Sequence, residues 1–316
     1  MSTPPTSIEG ARRSADTTTS FAALPADAAV KAAEPVVGSV TSRDGTTIGY
    51  RRFGRGPALI LLHGSMSSGA HHTELGRLLS DAFTVVVPDR RGRGLSGPYR
   101  LGDELRQELE DVAALLDATG ATKIWGLSSG ACIALHAARA LPAIAKVAIF
   151  EPPLVPDRAA AAAFLATFDD EMARGKVGEA LITAMRGAEM GPGWFRALPK
   201  ALTARLAMMG MAQEAKKAAG PYPTMRELSS TLHAEFAIVT ESSGRIDDYR
   251  SIRAEVLLMG GSKSPVFLKR ALADLARVLP GARRVELAGS DHAASWNSDV
   301  RGHPEPVARE LRRFFA

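Results

Sequence analysis

The sequence contains a single cysteine, Cys132, among 316 residues, so no disulfide bond can form within the chain. No apolar run approaches the length that crosses a membrane, so we expect no membrane span. Dense basic runs are also absent: the arginines are scattered in ones and twos, and the net charge is only +5. This distribution of charge argues against nucleic-acid binding. What is present, 46% hydrophobic and 23% charged residues, is ordinary for a globular protein with a large core.

Residues 1–37 are rich in Ser, Thr, Ala and Pro and show no sustained periodicity, so we expect them to form a flexible tail. Arg12-Arg13 resembles the start of a twin-arginine export signal, but residues 14–20 are polar where such a signal has a hydrophobic segment. The sequence therefore favours a cytoplasmic protein.

From residue 38 onward, apolar strands alternate with amphipathic helices. A hairpin is predicted at the turn Asp44-Gly45. Runs typical of buried strands follow at 58–62, 83–87, 146–150 and 256–259, with a short last strand at 284–287. This alternation predicts an α/β fold with a mostly parallel, doubly wound sheet and a functional site at the carboxyl ends of its strands.

The alternation stops between residues 154 and 250, where the sequence is helical in texture and rich in Ala and Met. We interpret residues 154–250 as a helical lid inserted between two parts of one core, 38–153 and 251–316. Methionines more often fill a core than contact a ligand, but a flexible apolar lid also suits the enclosure of an apolar substrate. We assign Trp194 and Phe195, within the lid, to the substrate pocket.

The segment at 126–130 reads G-x-S-x-G and lies between a predicted strand and a predicted helix. In a nucleophile elbow the serine occupies a strained turn, and its neighbours two residues away must be small. Ser128 meets this condition, whereas Ser129 would have Leu127 and Ala131 at those places. Such a short motif also occurs as an ordinary strand-to-helix turn relieved by glycines, so the surrounding chain must decide between the two interpretations.

Four features in chain order are similar to those of the α/β-hydrolase family. Residues 61–65 resemble its oxyanion loop, residues 89–96 resemble its D-x-R-G-x-G-x-S loop, residues 126–130 resemble its elbow, and His292 follows the last short strand. The resemblance extends from about residue 38 to the C-terminus. It implies an α/β-hydrolase fold in which the lid is inserted between the two parts of the core.

The resemblance also implies a Ser–His–acid triad, in which Ser128 is the nucleophile and His292 is the base. The oxyanion would be held by the backbone N–H groups of Ser65 and Ser129. We add Met66, the next residue of the oxyanion loop, to the substrate pocket. The chemistry of such a triad implies neither a cofactor nor a metal. Other histidines have other predicted roles: His63 and His136 are structural, and His71 or His72 is a candidate for the pocket wall.

The acid departs from the common pattern of the family. Most members carry an Asp soon after the penultimate strand, and Ser264 stands at that place here. Glu151 ends the strand at 146–150, which neighbours the elbow strand in this fold, and some haloalkane dehalogenases look similar in placing a glutamate there. We therefore predict Glu151 as the triad acid. The alternatives left open are Asp291, Asp247 and Asp248.

The leading hypothesis is a serine hydrolase that cleaves an ester, thioester or lactone of a mainly apolar small molecule through an acyl-enzyme. A serine at position 128 argues against haloalkane dehalogenases and epoxide hydrolases, which use Asp there. Carbon–carbon bond hydrolases, cofactor-free peroxidase-like enzymes and biosynthetic cyclases or acyltransferases share the triad and stay open. A small-ligand receptor with slow or no turnover is the alternative from another class. The sequence also leaves a homodimer open.

Overall fold

A computed structural model describes residue 1 and residues 34–189, 197–216 and 220–316. Within these ranges eight strands form one sheet, in the order β1-β2-β4-β3-β5-β6-β7-β8. The strands are β1 (Val36–Thr41), β2 (Thr47–Phe53), β3 (Ala58–Leu62), β4 (Thr84–Pro88), β5 (Lys123–Leu127), β6 (Lys146–Phe150), β7 (Glu255–Gly261) and β8 (Arg283–Leu287). β2 pairs antiparallel with both β1 and β4, and every pair from β4 to β8 is parallel. The mostly parallel sheet predicted from the sequence is confirmed.

The helices lie between the strands and after the last one. They are α1 (Thr73–Leu79), α2 (Glu104–Thr119), α3 (Ser129–Ala140), α4 (Arg158–Ala173), α5 (Val177–Gly187), α6 (Lys200–Glu214), α7 (Met225–Ser229), α8 (Leu232–Ser242), α9 (Val266–Val278) and α10 (Pro304–Phe315). In the part of the chain that the structure describes, no helix is both long and apolar enough to cross a membrane.

Both faces of the sheet are buried, because helices cover each face, and alternate residues of each central strand point to opposite faces. In β3, Ile60 and Leu62 join a cluster that includes α3 and α9, whereas Leu59 and Leu61 join a cluster that includes α1 and α10. This packing is the reason the central strands read as continuous apolar runs in the sequence. Because β3, β5, β6 and β7 are parallel, their carboxyl ends lie at one edge of the sheet.

Residues 154–250, the lid of the sequence analysis, lie between β6 and β7, and we call them the cap. Its described residues contain α4 to α8 and no strand. Cap residues also form an apolar cluster of their own, composed of Phe168, Ala180, Leu181, Ala184, Met211 and Leu232. Trp194 and Phe195, which we predicted for the pocket, lie outside the described residues.

The predicted tail at 1–37 lies mostly outside the described residues. Its last residues belong to the sheet, because Val36 and Val37 pair with Arg52 and Arg51 of β2.

Candidate active site

Ser128 occupies the turn between β5 and α3 with φ 55° and ψ −123°, a conformation that side chains rarely adopt. The turn is too tight for side chains on either flank. A Cβ at position 126 would lie 2.3 Å from the carbonyl oxygen of Gly130, and a Cβ at position 130 would lie 2.5 Å from that of His63. Both glycines of the G-x-S-x-G segment are therefore sterically required. The strained position is that of Ser128, while Ser129 is the first residue of α3.

Glu151 follows β6 directly and lies beside His292. Its Oε2 atom is 2.7 Å from His292 Nδ1, and its Oε1 atom accepts a hydrogen bond of 2.6 Å from the backbone N–H of Gly261. The side chain of Glu151 is fully buried, whereas that of His292 is 37% exposed. A buried carboxylate that fixes the Nδ1 side of an imidazole leaves the Nε2 atom available for proton transfer.

The end of β7 makes room for this contact. A Cβ at position 260 would come within 3.1 Å of Glu151 Oε1, and one at position 261 would lie 2.3 Å from the carbonyl oxygen of Ser290. The glycines at 260 and 261 thus allow both the glutamate and the loop before His292 to approach the strand. Glu151 itself has φ 50°, so its backbone is held in the left-handed region.

The other carboxylates considered from the sequence have different partners. Asp291 accepts a hydrogen bond from the backbone of its own loop, at Ala293. Asp247 and Asp248 are exposed or half-buried and pair with arginines of the cap and of α3. Ser264, at the place where most relatives are expected to carry the acid, has a buried Oγ atom with no hydrogen-bond partner among the described residues.

Among the described residues no hydrogen bond joins Ser128 Oγ to His292. Catalytic hydrogen bonds are often long in unliganded enzymes and tighten when the substrate binds. The structure therefore brings Glu151 and His292 together and leaves Ser128 on the adjacent strand end, half-exposed.

The directions of the two predicted oxyanion donors, the N–H groups of Ser65 and Ser129, follow from the planarity of the peptide bond. In a planar trans peptide a carbonyl and the next N–H point in opposite directions. The carbonyl of Gly64 accepts hydrogen bonds from His63 Nδ1 at 2.9 Å and Ser67 Oγ at 3.0 Å, so the N–H of Ser65 points away from them. The carbonyl of Ser128 accepts from the first turn of α3, at Ala131 and Cys132, so the N–H of Ser129 points out of the helix. A Cβ at position 64 would lie 2.8 Å from Ser128 Cβ, so the two segments are in close contact.

The surroundings of the histidines near the oxyanion loop determine their protonation. His63 Nε2 accepts from the backbone N–H of Arg90 at 3.0 Å, which leaves the proton on Nδ1 for Gly64. Burial, with the charges of Arg93 and Arg90, holds the pKa of His63 well below its usual range. Burial also lowers the pKa of His71 to about 4 and that of His72 to about 3, so both are neutral near pH 7.

Met66 connects the oxyanion loop with the cap. Its backbone has φ 52°, and its partly buried side chain packs against the apolar cluster of the cap. This position, one residue after Ser65, is consistent with a place in the pocket wall.

A buried ion network behind the oxyanion loop was not predicted from the sequence. Arg90 and Arg93, in the D-x-R-G-x-G-x-S segment, both bond to Glu235 of cap helix α8. Burial alone would raise the pKa of the Glu235 carboxyl, but the charges of Arg90 and Arg93 lower it to about 2. Arg90 is paired in addition with Glu108 of α2 at 2.8 Å. The one available signal was an acidic residue inside the otherwise apolar stretch 234–239 of the cap.

Comparison with known proteins agrees with this architecture. The model of the family described as "Alpha/beta hydrolase family" matches residues 59–310. The chain is 28% identical to a 2-(acetamidomethylene)succinate hydrolase of Mesorhizobium japonicum over 254 residues, which cover 78% of this chain and 85% of the relative. It is 27% identical to a pimeloyl-[acyl-carrier protein] methyl ester esterase of Stenotrophomonas maltophilia over 270 residues, covering 83% and 94% of the two chains.

Among solved structures, an alpha/beta hydrolase from Sphaerobacter thermophilus superposes with a TM-score of 0.69 and 30% identity, covering 88% of this chain and all of the other. The match of the family model over most of the chain, together with this fold, identifies the protein as a member of the alpha/beta hydrolase family.

Proposed function

We propose that the protein is a serine hydrolase that cleaves an ester, thioester or lactone of a mainly apolar small molecule through an acyl-enzyme. The observation that carries the proposal is the 2.7 Å hydrogen bond between Glu151 Oε2 and His292 Nδ1, next to the strained turn of Ser128. A serine in such a turn gains its nucleophilicity from a base that is itself oriented by an acid.

In the first half of the proposed reaction, His292 Nε2 takes the proton of Ser128 Oγ, and the oxygen attacks the carbonyl carbon of the substrate. The N–H groups of Ser65 and Ser129 hold the resulting oxyanion, and Glu151 stabilises the imidazolium. The bond from the carbonyl carbon to the leaving oxygen or sulfur then breaks, and His292 gives its proton to the leaving group.

In the second half, His292 takes a proton from water, and the hydroxide attacks the acyl carbon. The bond between that carbon and Ser128 Oγ breaks, the proton returns to the serine, and the carboxylic acid is released. The same groups therefore serve both half-reactions.

The apolar character of the substrate is supported by Met66, which packs between the oxyanion loop and the apolar cluster of the cap. An ester bond is supported by the relative that is named as a methyl ester esterase. The relative named for a succinate derivative represents the opposite substrate chemistry, since succinate is a small dicarboxylate. Substrate chain length and charge are thus the variables to test.

The test of the reaction type is labelling with a fluorophosphonate, in which Ser128 Oγ forms a bond to phosphorus and fluoride leaves. We expect one label per chain, located at Ser128 by peptide mass spectrometry, and no label in the Ser128→Ala variant. Label that persists in this variant would place the nucleophile elsewhere. A folded wild-type protein that stays unlabelled and hydrolyses no p-nitrophenyl ester, yet binds small ligands, would indicate a receptor instead.

A further inference from the structure

We infer that Glu235 of the cap is a positioning residue for the oxyanion hole: through Arg93 and Arg90 it holds the two backbone segments that carry the N–H groups of Ser65 and Ser129. The inference rests on the proposed function, because it assigns a task at the same site. It goes further in making a cap residue necessary for the geometry of the core.

The first connection passes through Arg93. Its Nη2 donates to Glu235, and its Nη1 makes long contacts of 3.4 Å to the carbonyl oxygens of Gly64 and Ser67. A cation that faces the carbonyl of Gly64 favours the orientation in which the N–H of Ser65 points to the opposite side. Among the described residues, Glu235 is the one carboxylate that pairs with Arg93.

The second connection passes through Arg90. Its Nη1 lies 3.1 Å from Glu235 Oε1, and the same nitrogen donates to the carbonyl of His63 and to Ser129 Oγ, each at 3.2 Å. Arg90 therefore joins the segment before Gly64 to the first residue of α3. The two sides of the oxyanion hole are linked through one carboxylate.

Burial makes these connections effective. Arg90, Arg93 and Glu235 are 2%, 3% and 1% exposed, so water does not screen their charges. Without the Glu235 charge, Arg93 would be a buried cation with no carboxylate partner, and such a group moves or draws in water. A shift of Arg93 would remove its contacts to the carbonyls of Gly64 and Ser67, leaving the Gly64 carbonyl with its hydrogen bonds from His63 and Ser67. Even a small shift of this segment matters, because oxyanion donors tolerate little displacement.

The same loop contains a matched control. Arg91 is fully buried and pairs with Asp111 at 2.6 Å, and Asp111 is 4% exposed. The remaining partners of Arg91 are on β-hairpin and α2 residues, and none belongs to the oxyanion segments: Ser42, Asp44, Thr46 and Gln107. Asp111→Asn thus weakens an equally buried pair without touching the oxyanion hole.

The experiment compares Glu235→Gln with Asp111→Asn by thermal unfolding, by kcat and KM on a p-nitrophenyl ester, and by the second-order rate of fluorophosphonate labelling. We expect Glu235→Gln to lower kcat and the labelling rate by about 10- to 100-fold, less than the roughly 10²–10³ of losing one oxyanion donor outright. KM should change by less than about threefold, because ground-state binding is not affected. Asp111→Asn should keep both rates within about threefold of wild type, because Arg91 retains Asp44 as a carboxylate partner and contacts neither oxyanion segment.

A double variant separates positioning from folding. Arg93→Met with Glu235→Met removes both charges, which restores stability in many buried pairs, but it does not restore the contact to Gly64. We expect a recovered melting temperature with kcat still low. The inference would be overturned if the double variant also recovered kcat or failed to fold. It would also be overturned if the rates of Glu235→Gln were unchanged, raised or equal to those of Asp111→Asn. A wild-type protein that is not labelled at Ser128 would overturn the proposed function instead.

Discussion

The substitution Glu151→Gln tests the proposed acid with almost no change of shape. The N–H of Gly261 donates to Glu151 Oε1 at 2.6 Å, so the glutamine must place its amide oxygen there to keep that hydrogen bond. Its NH₂ group then occupies the position of Oε2, 2.7 Å from His292 Nδ1. An amide donor facing Nδ1 makes this nitrogen an acceptor and moves the imidazole proton to Nε2. In this tautomer His292 cannot take the proton of Ser128.

The magnitude follows from the cost of the alternative amide orientation. Turning the amide oxygen towards His292 would point the NH₂ group at the N–H of Gly261, which leaves a buried donor unpaired at about 1–3 kcal/mol. The productive orientation is then populated at roughly one part in ten to one in a hundred, since 1.4 kcal/mol is about tenfold. The negative charge that stabilises the imidazolium is lost in either orientation. We therefore expect acylation to slow by about 10²–10⁴-fold, as with triad acids elsewhere.

Acylation is measured as the burst or single-turnover release of p-nitrophenol, with thermal unfolding recorded in parallel. The melting temperature should change little, because the shape and the hydrogen bond from Gly261 are kept. Asp291→Asn and Asp248→Asn are the matched controls, since neither carboxylate pairs with His292. A loss below tenfold in Glu151→Gln, or a larger loss in either control, would move the acid to another residue.

Two further predictions concern the cap and the buried histidines. If the cap covers an apolar pocket, kcat/KM on p-nitrophenyl esters should rise with acyl chain length up to a limit set by the pocket. Burial of each added methylene contributes about 0.8 kcal/mol, which corresponds to about fourfold in kcat/KM. A flat profile, or a preference for short charged acyl groups, would contradict this. Burial lowers the pKa of His71 and His136 to about 4 and that of His72 to about 3. Since the unfolded chain binds these protons from about pH 6.5 downward and the folded chain does not, stability should be complete above about pH 6.5 and fall as the pH drops towards 4. Melting temperatures between pH 8 and 4.5 test this, and a constant value down to pH 5 would refute it.

The sheet could be predicted from the sequence because its central strands are buried on both faces. A strand in that environment reads as an uninterrupted apolar run, so the bounds predicted for residues 58–62 and 146–150 coincide with β3 and β6. The turn of Ser128 could also be predicted from the sequence, because its signal is local. Glycines two residues away on either side reflect a steric requirement that is local in the chain.

The ion network could not be predicted from the sequence, because its partners are far apart in the chain. Glu235 is 142 residues from Arg93, and an acidic residue on a cap helix has the same sequence signature whether it faces solvent or a buried arginine. Only the packing of α8 against the core decides between those two environments. The positions of Trp194 and Phe195 remain predictions, since they lie outside the described residues.

Backbone strain gives independent support for the proposed location of the chemistry. In the described ranges six residues other than glycine have positive φ, and three of them are Met66, Ser128 and Glu151. These three follow the carboxyl ends of β3, β5 and β6, which are neighbours in the sheet. Each such conformation costs on the order of 1–3 kcal/mol and persists where the surroundings enforce it. At Glu151 the enforcing contacts are the hydrogen bond from its own N–H to Met259 and the one that its carboxylate accepts from Gly261.

Those two contacts also explain how an acid can serve from β6 when position 264 carries a serine. Both tie Glu151 to β7, the strand that the usual acid of the family would follow, so the carboxylate is presented at the end of β7 although the residue belongs to β6. Gly260 leaves the space that the carboxylate fills, since a Cβ there would lie 3.1 Å from Glu151 Oε1. Under the proposed mechanism the strain at Glu151 thus coincides with a change in which strand supplies the carboxylate, and this links the backbone outlier to the chemistry proposed for His292.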